Sequence, residues 1–288
     1  MHTRSFAKIN LGLEVLRKRE NGYHEIRTLF QTVDLSDMLE FQPLRQNRIL
    51  LEGNDETVPW DESNLIYKAV RLLKERFKLK TGIRVIVEKN IPAGKGLGGG
   101  SSNAAATLWS LNKIWDLGLE KGDFMDLGRL LGADVPYFFE GGLCLGEDTG
   151  NRITPLDDIP PCLCVLALPS FSLSTAAVYG QVPSSLTSRD KDSKIIKFLD
   201  SRNLSLLVND LEEIVFKTHP QIKAIRNLFQ KQGSELALMS GSGSAVFGLF
   251  LEKEKAEGAS RMFMKEHAVV LAETLPRDGY LRRREAGV

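Results

Sequence analysis

From Phe6 to Leu13 apolar and polar positions alternate with period two. Ala7, Ile9, Leu11 and Leu13 then share one face of a strand, and Phe6, Lys8 and Asn10 the other. The run continues to Arg19 and meets Asn21-Gly22. Both residues tolerate positive φ, which predicts a two-residue hairpin turn. Tyr23–Val33 is the expected partner strand, so Tyr23 and His24 sit beside the turn. Arg48–Leu51 reads as a strand, and a loop follows around Pro59. Ser63 or Asn64 caps an expected helix whose apolar positions Ile66, Ala69, Val70, Leu73 and Phe77 recur at helical spacing, with Gly82 closing it. Ile83, Val85 and Val87 alternate with Arg84 and Glu88 as a strand. Helices are expected over Ser101–Trp115 and Lys121–Leu131.

Gly141-Gly142 and Asp148-Thr149-Gly150 mark turns. Three prolines between Pro155 and Pro161 suggest a boundary between two domains, 1–155 and 156–288. Beyond it, Leu163–Leu168 is a buried-strand candidate. Leu204–Phe216 and Pro220–Gln232 read as helices, the second with proline at its first position. Strands at Glu235–Met239 and Ala245–Leu251 flank Ser240-Gly241-Ser242-Gly243-Ser244. A helix near Ala256–Lys265 and a strand at Val269–Thr274 follow. Strands and helices mix without strict βαβ alternation, so the class is α+β with two domains.

One segment stands apart from this patterning. Pro92-Ala93-Gly94-Lys95-Gly96-Leu97-Gly98-Gly99-Gly100-Ser101-Ser102 holds five glycines in the seven residues 94–100 and runs into a helix. Glycines remove side chains where backbone must approach a ligand. Free N–H groups at the helix start, with the positive end of its dipole, make an anion site. The serine hydroxyls can bind phosphate or ligate magnesium. A Walker A loop needs Gly-Lys-Ser/Thr, and Lys95 is followed by glycine, so that reading fails. Gly94, Gly96 and Gly99 satisfy the Rossmann spacing, but no strand with a terminal acidic residue follows at the distance the ribose contact needs. A glycine–serine ATP loop of another kinase type remains.

Pro-x-x-x-Gly-Leu-Gly-x-x-Ser-Ser, as Pro92–Ser102, resembles the ATP-binding motif of the GHMP kinases. Gly98-Gly99-Gly100 is similar to one branch, which phosphorylates a cytidine diphosphate-linked alcohol. Ala7–Leu11, Gly22-Tyr23-His24-Glu25, Gly132-Ala133-Asp134-Val135-Pro136-Tyr137-Phe138 and Ser240–Gly243 carry the same likeness in the same order. The resemblance implies a ribosomal-S5-like N-terminal domain, a ferredoxin-like C-terminal domain, and ATP with Mg²⁺. It implies that Asp134 receives the proton of the attacking hydroxyl and that Lys8 orients Asp134. Asn10 lies on the Lys8 face, within reach of the same substrate. Tyr23 and His24 would bind cytosine, one by stacking and one by hydrogen bonds. Thr175 and Tyr179 look like further cytidine-side contacts, and Asn64 and Lys89 like positions around the adenine pocket. Gly241 and Ser242 approach the substrate diphosphate or form an ordinary hairpin loop. Lys95 departs from the small residue usual there, and adds a phosphate contact or faces solvent. Asn21 replaces the usual Asp, and an Asn-Gly turn is equally competent. Asn103 is one of two residues the branch uses.

Composition changes little. Lys and Arg total 38 against 37 Asp and Glu, a net charge of +1, so no global pull toward nucleic acid or membrane exists and any anion site is local. Arg282-Arg283-Arg284 reads as a solvated tail. Three cysteines, Cys144, Cys162 and Cys164, fit neither a disulfide framework nor a zinc site. With no basic-then-apolar leader pattern, a cytoplasmic protein is expected.

Overall fold

A computed structural model describes residues 1–183, 193–264 and 266–285. The N-terminal half is a six-stranded sheet. It contains β1 (His2–Lys18), β2 (His24–Leu44), β3 (Ile49–Gly53), β4 (Gly82–Glu88), β5 (Leu143–Glu147) and β6 (Arg152–Pro155), ordered β3-β4-β2-β5-β6 with β1 along β2. β3 and β4 are parallel, joined through helix α1 (Leu65–Phe77), as a parallel pair requires a crossover. Helices α2 (Gly99–Ile114), α3 (Lys121–Leu131) and the short α4 (Tyr137–Glu140) follow.

The C-terminal half is a four-stranded antiparallel sheet, order β10-β7-β9-β8. Its strands are β7 (Leu163–Leu168), β8 (Leu236–Met239), β9 (Val246–Phe250) and β10 (Ala268–Glu273). That order is ferredoxin-like. Its helices are α5 (Thr175–Gly180), α6 (Lys194–Ser201), α7 (Leu211–Thr218), α8 (Pro220–Lys231) and α9 (Lys253–Phe263), and α10 (Arg277–Glu285) ends the described chain.

Three apolar clusters hold the layers. Leu39, Val85, Leu73, Leu108 and Leu111 join the first sheet to α1 and α2. Ala7, Ile9 and Leu11 of β1 meet Cys164, Leu166, Phe247 and Leu249, so the two sheets pack face to face. Ile214, Ile225 and Phe229 cover the other face of the second sheet. Burying these faces supplies the main driving force, about 1.5–3 kcal/mol per large side chain. Leu13 departs from the expected alternation and joins the third cluster, because a bulge between Asn10 and Gly12 shifts the register.

Other expectations are corrected by local chemistry. The hairpin loop after β1 closes from Arg19 N to Tyr23 O (2.7 Å). Its left-handed residue is Gly22 alone (φ 85°), so it is longer than a two-residue turn. Asn64 caps α1 by accepting from Ile66 N, as expected. The helix stops at left-handed Lys78, however, and Gly82 instead opens β4, where a Cβ would fall 2.1 Å from Gln46 O. The helix expected over 204–216 is broken. Leu204–Leu206 form one 3₁₀ turn, Asn209 bridges to Leu13, and α7 begins at Leu211. Asn209 drives the break: its Oδ1 accepts from Leu211 N, and its Nδ2 donates to Met239 O and Gly241 O, each at 2.8 Å. Lys265, the expected end of α9, lies outside the described residues.

Arg282–Arg284 is not a solvated tail. It belongs to α10, whose Tyr280 and Arg284 are buried, with the Arg284 guanidinium 4.8 Å from the Trp109 ring centroid and Arg283 paired with Asp34. Among the described residues no helix is long and apolar enough to cross a membrane.

Candidate active site

The glycine segment leaves β4 and enters α2 along the seam between the sheets. Asp37, fully buried on β2, anchors its start. Its carboxylate accepts from Asn90 N and Ile91 N (2.7 Å each), Lys89 Nζ (2.7 Å) and Asn103 Nδ2 (2.9 Å). A buried carboxylate is tolerable only with this many donors. Asp37 was invisible in the sequence, where it reads as one polar residue in a strand. Lys89 lines the cleft near Asn64, with its ammonium held beneath the loop by Asp37 and Ile91 O.

Steric demands explain the glycines. Gly94, Gly96 and Gly98 have φ of 67°, 77° and 70°, the left-handed region. A Cβ on Gly96 would fall 2.1 Å from Ser240 O, and one on Gly98 within 3.1 Å of Phe138 and the Lys8 stem. Gly98 caps α2, and Ala104–Ala106 let that helix pack tightly on β1 and α1. Ser101 lines the cleft, whereas Ser102 does not: buried, its Oγ accepts from Ser5 Oγ at 2.7 Å. Burial beneath the sheet–helix contact keeps the Ser102 hydroxyl out of the cleft lining.

Lys8 Nζ donates to Asn10 Oδ1 (2.6 Å) and Gly96 O (2.9 Å), and lies 3.5 Å from Asp134 Oδ2. Lys8 N also donates to Leu97 O (3.0 Å), so strand and loop are joined at this residue. Asn10 Nδ2 donates to Thr28 Oγ1 (2.8 Å), which fixes the amide so that its oxygen faces Lys8. One bond at each end of the amide orients Asn10 toward Lys8 and leaves one N–H and one lone pair of this cleft-lining residue uncommitted. Asp134 sits in the turn between α3 and α4, its carboxylate one-third exposed to the cleft. Gly132 ends α3, and Val135 N returns to Gly132 O, turning the chain so that Asp134 faces β1.

At the other end, Tyr23 is 67% exposed while His24 is buried 5.5 Å from the Tyr179 ring. Neither His24 ring nitrogen has a hydrogen-bond partner. Burial, then the nearby Lys18 charge, holds its pKa below the ordinary value, so the ring is neutral near pH 7. Burial, then the Asp134 charge, raises that of Tyr179. Ser174 caps α5, which presents Thr175 and Tyr179, and Thr175 Oγ1 lies 2.9 Å from Ser242 Oγ. Gly241 (φ 57°) passes so close to Asn10 that a Cβ would stand 3.0 Å from its Oδ1. The 240–244 segment is the hairpin loop between β8 and β9, and its Gly241 and Ser242 line the cleft.

Lys95 borders the cleft but does not face open solvent. Its ammonium donates to Pro169 O (2.7 Å) and Phe171 O (2.6 Å). Desolvation lowers its pKa.

The remaining residues singled out in the sequence, among them Lys8, Asn10, Tyr23, His24, Asn64, Pro92–Ser101, Asp134, Thr175, Tyr179, Gly241 and Ser242, line one cleft of about 1340 Å³. Val58, Trp60 and the 148–151 turn also line it and were missed, because an irregular loop carries no periodic pattern. A backbone anion cradle facing a lysine–aspartate pair is what phosphoryl transfer to a hydroxyl asks of a protein.

Comparison with known proteins agrees. Residues 64–142 match the GHMP kinase N-terminal domain and 195–269 the GHMP kinase C-terminal domain. A 4-diphosphocytidyl-2-C-methyl-D-erythritol kinase of Bacillus cereus is 40% identical over 247 residues, 84% of this chain and 86% of that one. One from Caldicellulosiruptor bescii is 38% identical over 288 residues, 97% and 100% of the two chains. A crystal structure of 4-(cytidine 5'-diphospho)-2C-methyl-D-erythritol kinase superposes with a TM-score of 0.82 at 33% identity, covering 95% of this chain and 99% of that one. The chain belongs to the GHMP kinase family, in the branch of the 4-diphosphocytidyl-2-C-methyl-D-erythritol kinases, and ATP is its phosphate donor.

Proposed function

We propose that this enzyme transfers the γ-phosphoryl group of ATP to the 2-hydroxyl of 4-diphosphocytidyl-2-C-methyl-D-erythritol, a step of the non-mevalonate route to isoprenoid precursors. The observation that carries the reading is the shared cleft. The Lys8–Asp134 pair stands between the N-terminus of α2 and the His24–Tyr179 ring pair. One end suits a polyphosphate and the other a planar base.

The backbone amides of Gly94–Ser101 and the α2 N-terminus hold the ATP phosphates. Asn64, Val58 and Trp60 wall the space left for adenine. Asp134 accepts a hydrogen bond from the acceptor hydroxyl and takes its proton as the phosphoryl group transfers. An ionised aspartate is a weak base, so alignment and charge placement contribute most of its effect. Lys8 fixes Asp134 and balances charge that develops on the transferred group. Tyr23 stacks on cytosine while the neutral His24 edge exchanges hydrogen bonds with it. Thr175, Ser242 and the Gly241 backbone border the diphosphate.

The family implies Mg²⁺. Among the described residues no group of three or more carboxylate, imidazole or thiol side chains could cage a metal. The Ser101 hydroxyl and Asp134 carboxylate suit an ion held mainly by phosphate oxygens and water, which would neutralise phosphate charge. We further divide the chain at 155/156, between β6 and β7, with α10 returning to pack on β1. The acceptor is a small molecule, the balanced net charge favours neither a nucleic-acid nor a membrane partner, and we place the enzyme in the cytoplasm.

Phosphorus and carbon-13 NMR of the product tests the assignment. A new phosphomonoester coupled to the 2-position supports it, and a phosphate on another hydroxyl refutes the regiochemistry.

A further inference from the structure

Lys95 is a buried cation that the phosphate-transfer reading does not use. Among the described residues no carboxylate pairs with it, and its partners are the carbonyls of Pro169 and Phe171. Burying an ammonium is costly unless its donors are satisfied, so these two short bonds fix where it sits. Phe171 O is held a second time, by Ser244 Oγ (2.6 Å), and the Phe171 ring stacks on His219 at 5.1 Å. Three residues beyond Phe171, Ser174 caps α5, which carries Thr175 and Tyr179 into the acceptor end of the cleft. On the donor side, Lys95 lies between Gly94 and Gly96, and Gly96 O accepts from Lys8 Nζ. One side chain therefore links the phosphate loop to the segment that places the acceptor-side helix.

We propose that Lys95 is a positioning residue that couples ATP binding to acceptor binding by tying the phosphate loop to the 169–171 segment. The inference rests on the functional reading above. Phosphates that draw the loop into its bound position act through Lys95 on the 169–171 carbonyls, and so on α5. A loop joined to that segment only by backbone packing would let the two ends of the cleft fill independently. Coupling between sites is reciprocal, so the cytidyl substrate favours ATP by the same factor.

The test measures affinity for the cytidyl substrate by calorimetry, with and without saturating Mg²⁺ and a β,γ-imido analogue of ATP. In the wild-type enzyme the analogue is expected to tighten substrate binding about tenfold. In Lys95→Met that ratio falls to about one, and Lys95→Arg restores part of the ratio. A purely structural role would lower the melting temperature or weaken both ligands alike and leave the ratio intact, which overturns the proposal. So does a wild-type ratio of one. Should Lys95→Met fail to fold, Lys95→Gln decides, an unchanged ratio again overturning it. Wild-type enzyme that binds the cytidyl substrate neither alone nor with the analogue refutes the functional reading itself, which separates that failure from the others.

Discussion

The two ends of the cleft are built on different plans. On the proposed reading the donor end is one contiguous loop that would recognise its ligand through backbone amides, shaped by glycines at positions 94, 96 and 98 with φ near 70°. The proposed acceptor end is lined by the hairpin after β1, α5 and the 240–244 segment, and would recognise its ligand mainly through side chains. Backbone recognition suits a ligand every kinase of the family shares. Side-chain recognition can change without rebuilding the loop, so specificity belongs there. Lys8 and Asp134 lie between the two ends and should serve both.

Changes at the centre, then the donor end, then the acceptor end should separate these roles. Asp134→Asn keeps the shape of the turn and removes the charge beside Lys8. It should lower kcat about 10³-fold with ATP affinity nearly unchanged, measured by steady-state rates and nucleotide binding. Retained turnover would remove Asp134 from the mechanism. Gly96→Ala forces a methyl group to 2.1 Å from Ser240 O at a left-handed φ. The loop must shift, so kcat/KM for ATP should fall about 100-fold, with about 2 kcal/mol lost from stability.

Tyr23→Ala should raise KM for the cytidyl substrate about tenfold and spare ATP, since stacking on one aromatic ring contributes about 1–3 kcal/mol per base. Equal weakening of both substrates would make the hairpin structural. The smallest effect is on pH. The His24 pKa is held down by burial and Lys18, so the ring is neutral in the folded enzyme above the ordinary histidine range and charges only at more acid pH. KM for the cytidyl substrate should therefore be flat from pH 8 to about 6.5 and rise below it, with KM for ATP changing less. The same lowered pKa means the unfolded chain binds its proton first. Stability contributed by neutral His24 is then complete above the unfolded value and lost as pH falls through it toward the folded value.

The donor end was legible because its determinants are local. Close approach by backbone demands glycine, and an anion demands a helix start, so one segment carries the whole argument. α3 could be placed at Lys121–Leu131 for a similar reason: its apolar face and the reciprocal Glu120–Asp123 cap are local. The misses share a long-range cause. Arg284 reads as a tail residue until Trp109, on α2, lies beneath it. Asn209 interrupts a plausible helix because its amide is claimed by carbonyls thirty residues later. Ser102 looks like a phosphate ligand until Ser5 takes its hydroxyl, and Lys95 looks exposed until the 169–171 carbonyls surround it. Alternation and helical spacing say which face a residue is on, but not what stands opposite.

The central claim is that the acceptor end, and not the phosphate loop, selects the reaction. The most direct measurement is ADP release with Mg²⁺-ATP and, in separate reactions, the cytidyl substrate, mevalonate and homoserine. The account predicts turnover of the cytidyl substrate at a kcat/KM at least about 10³-fold above either simpler alcohol, each of which leaves the base-binding groups unfilled. Comparable rates on all three, or a preference for an alcohol without a nucleobase, would contradict it.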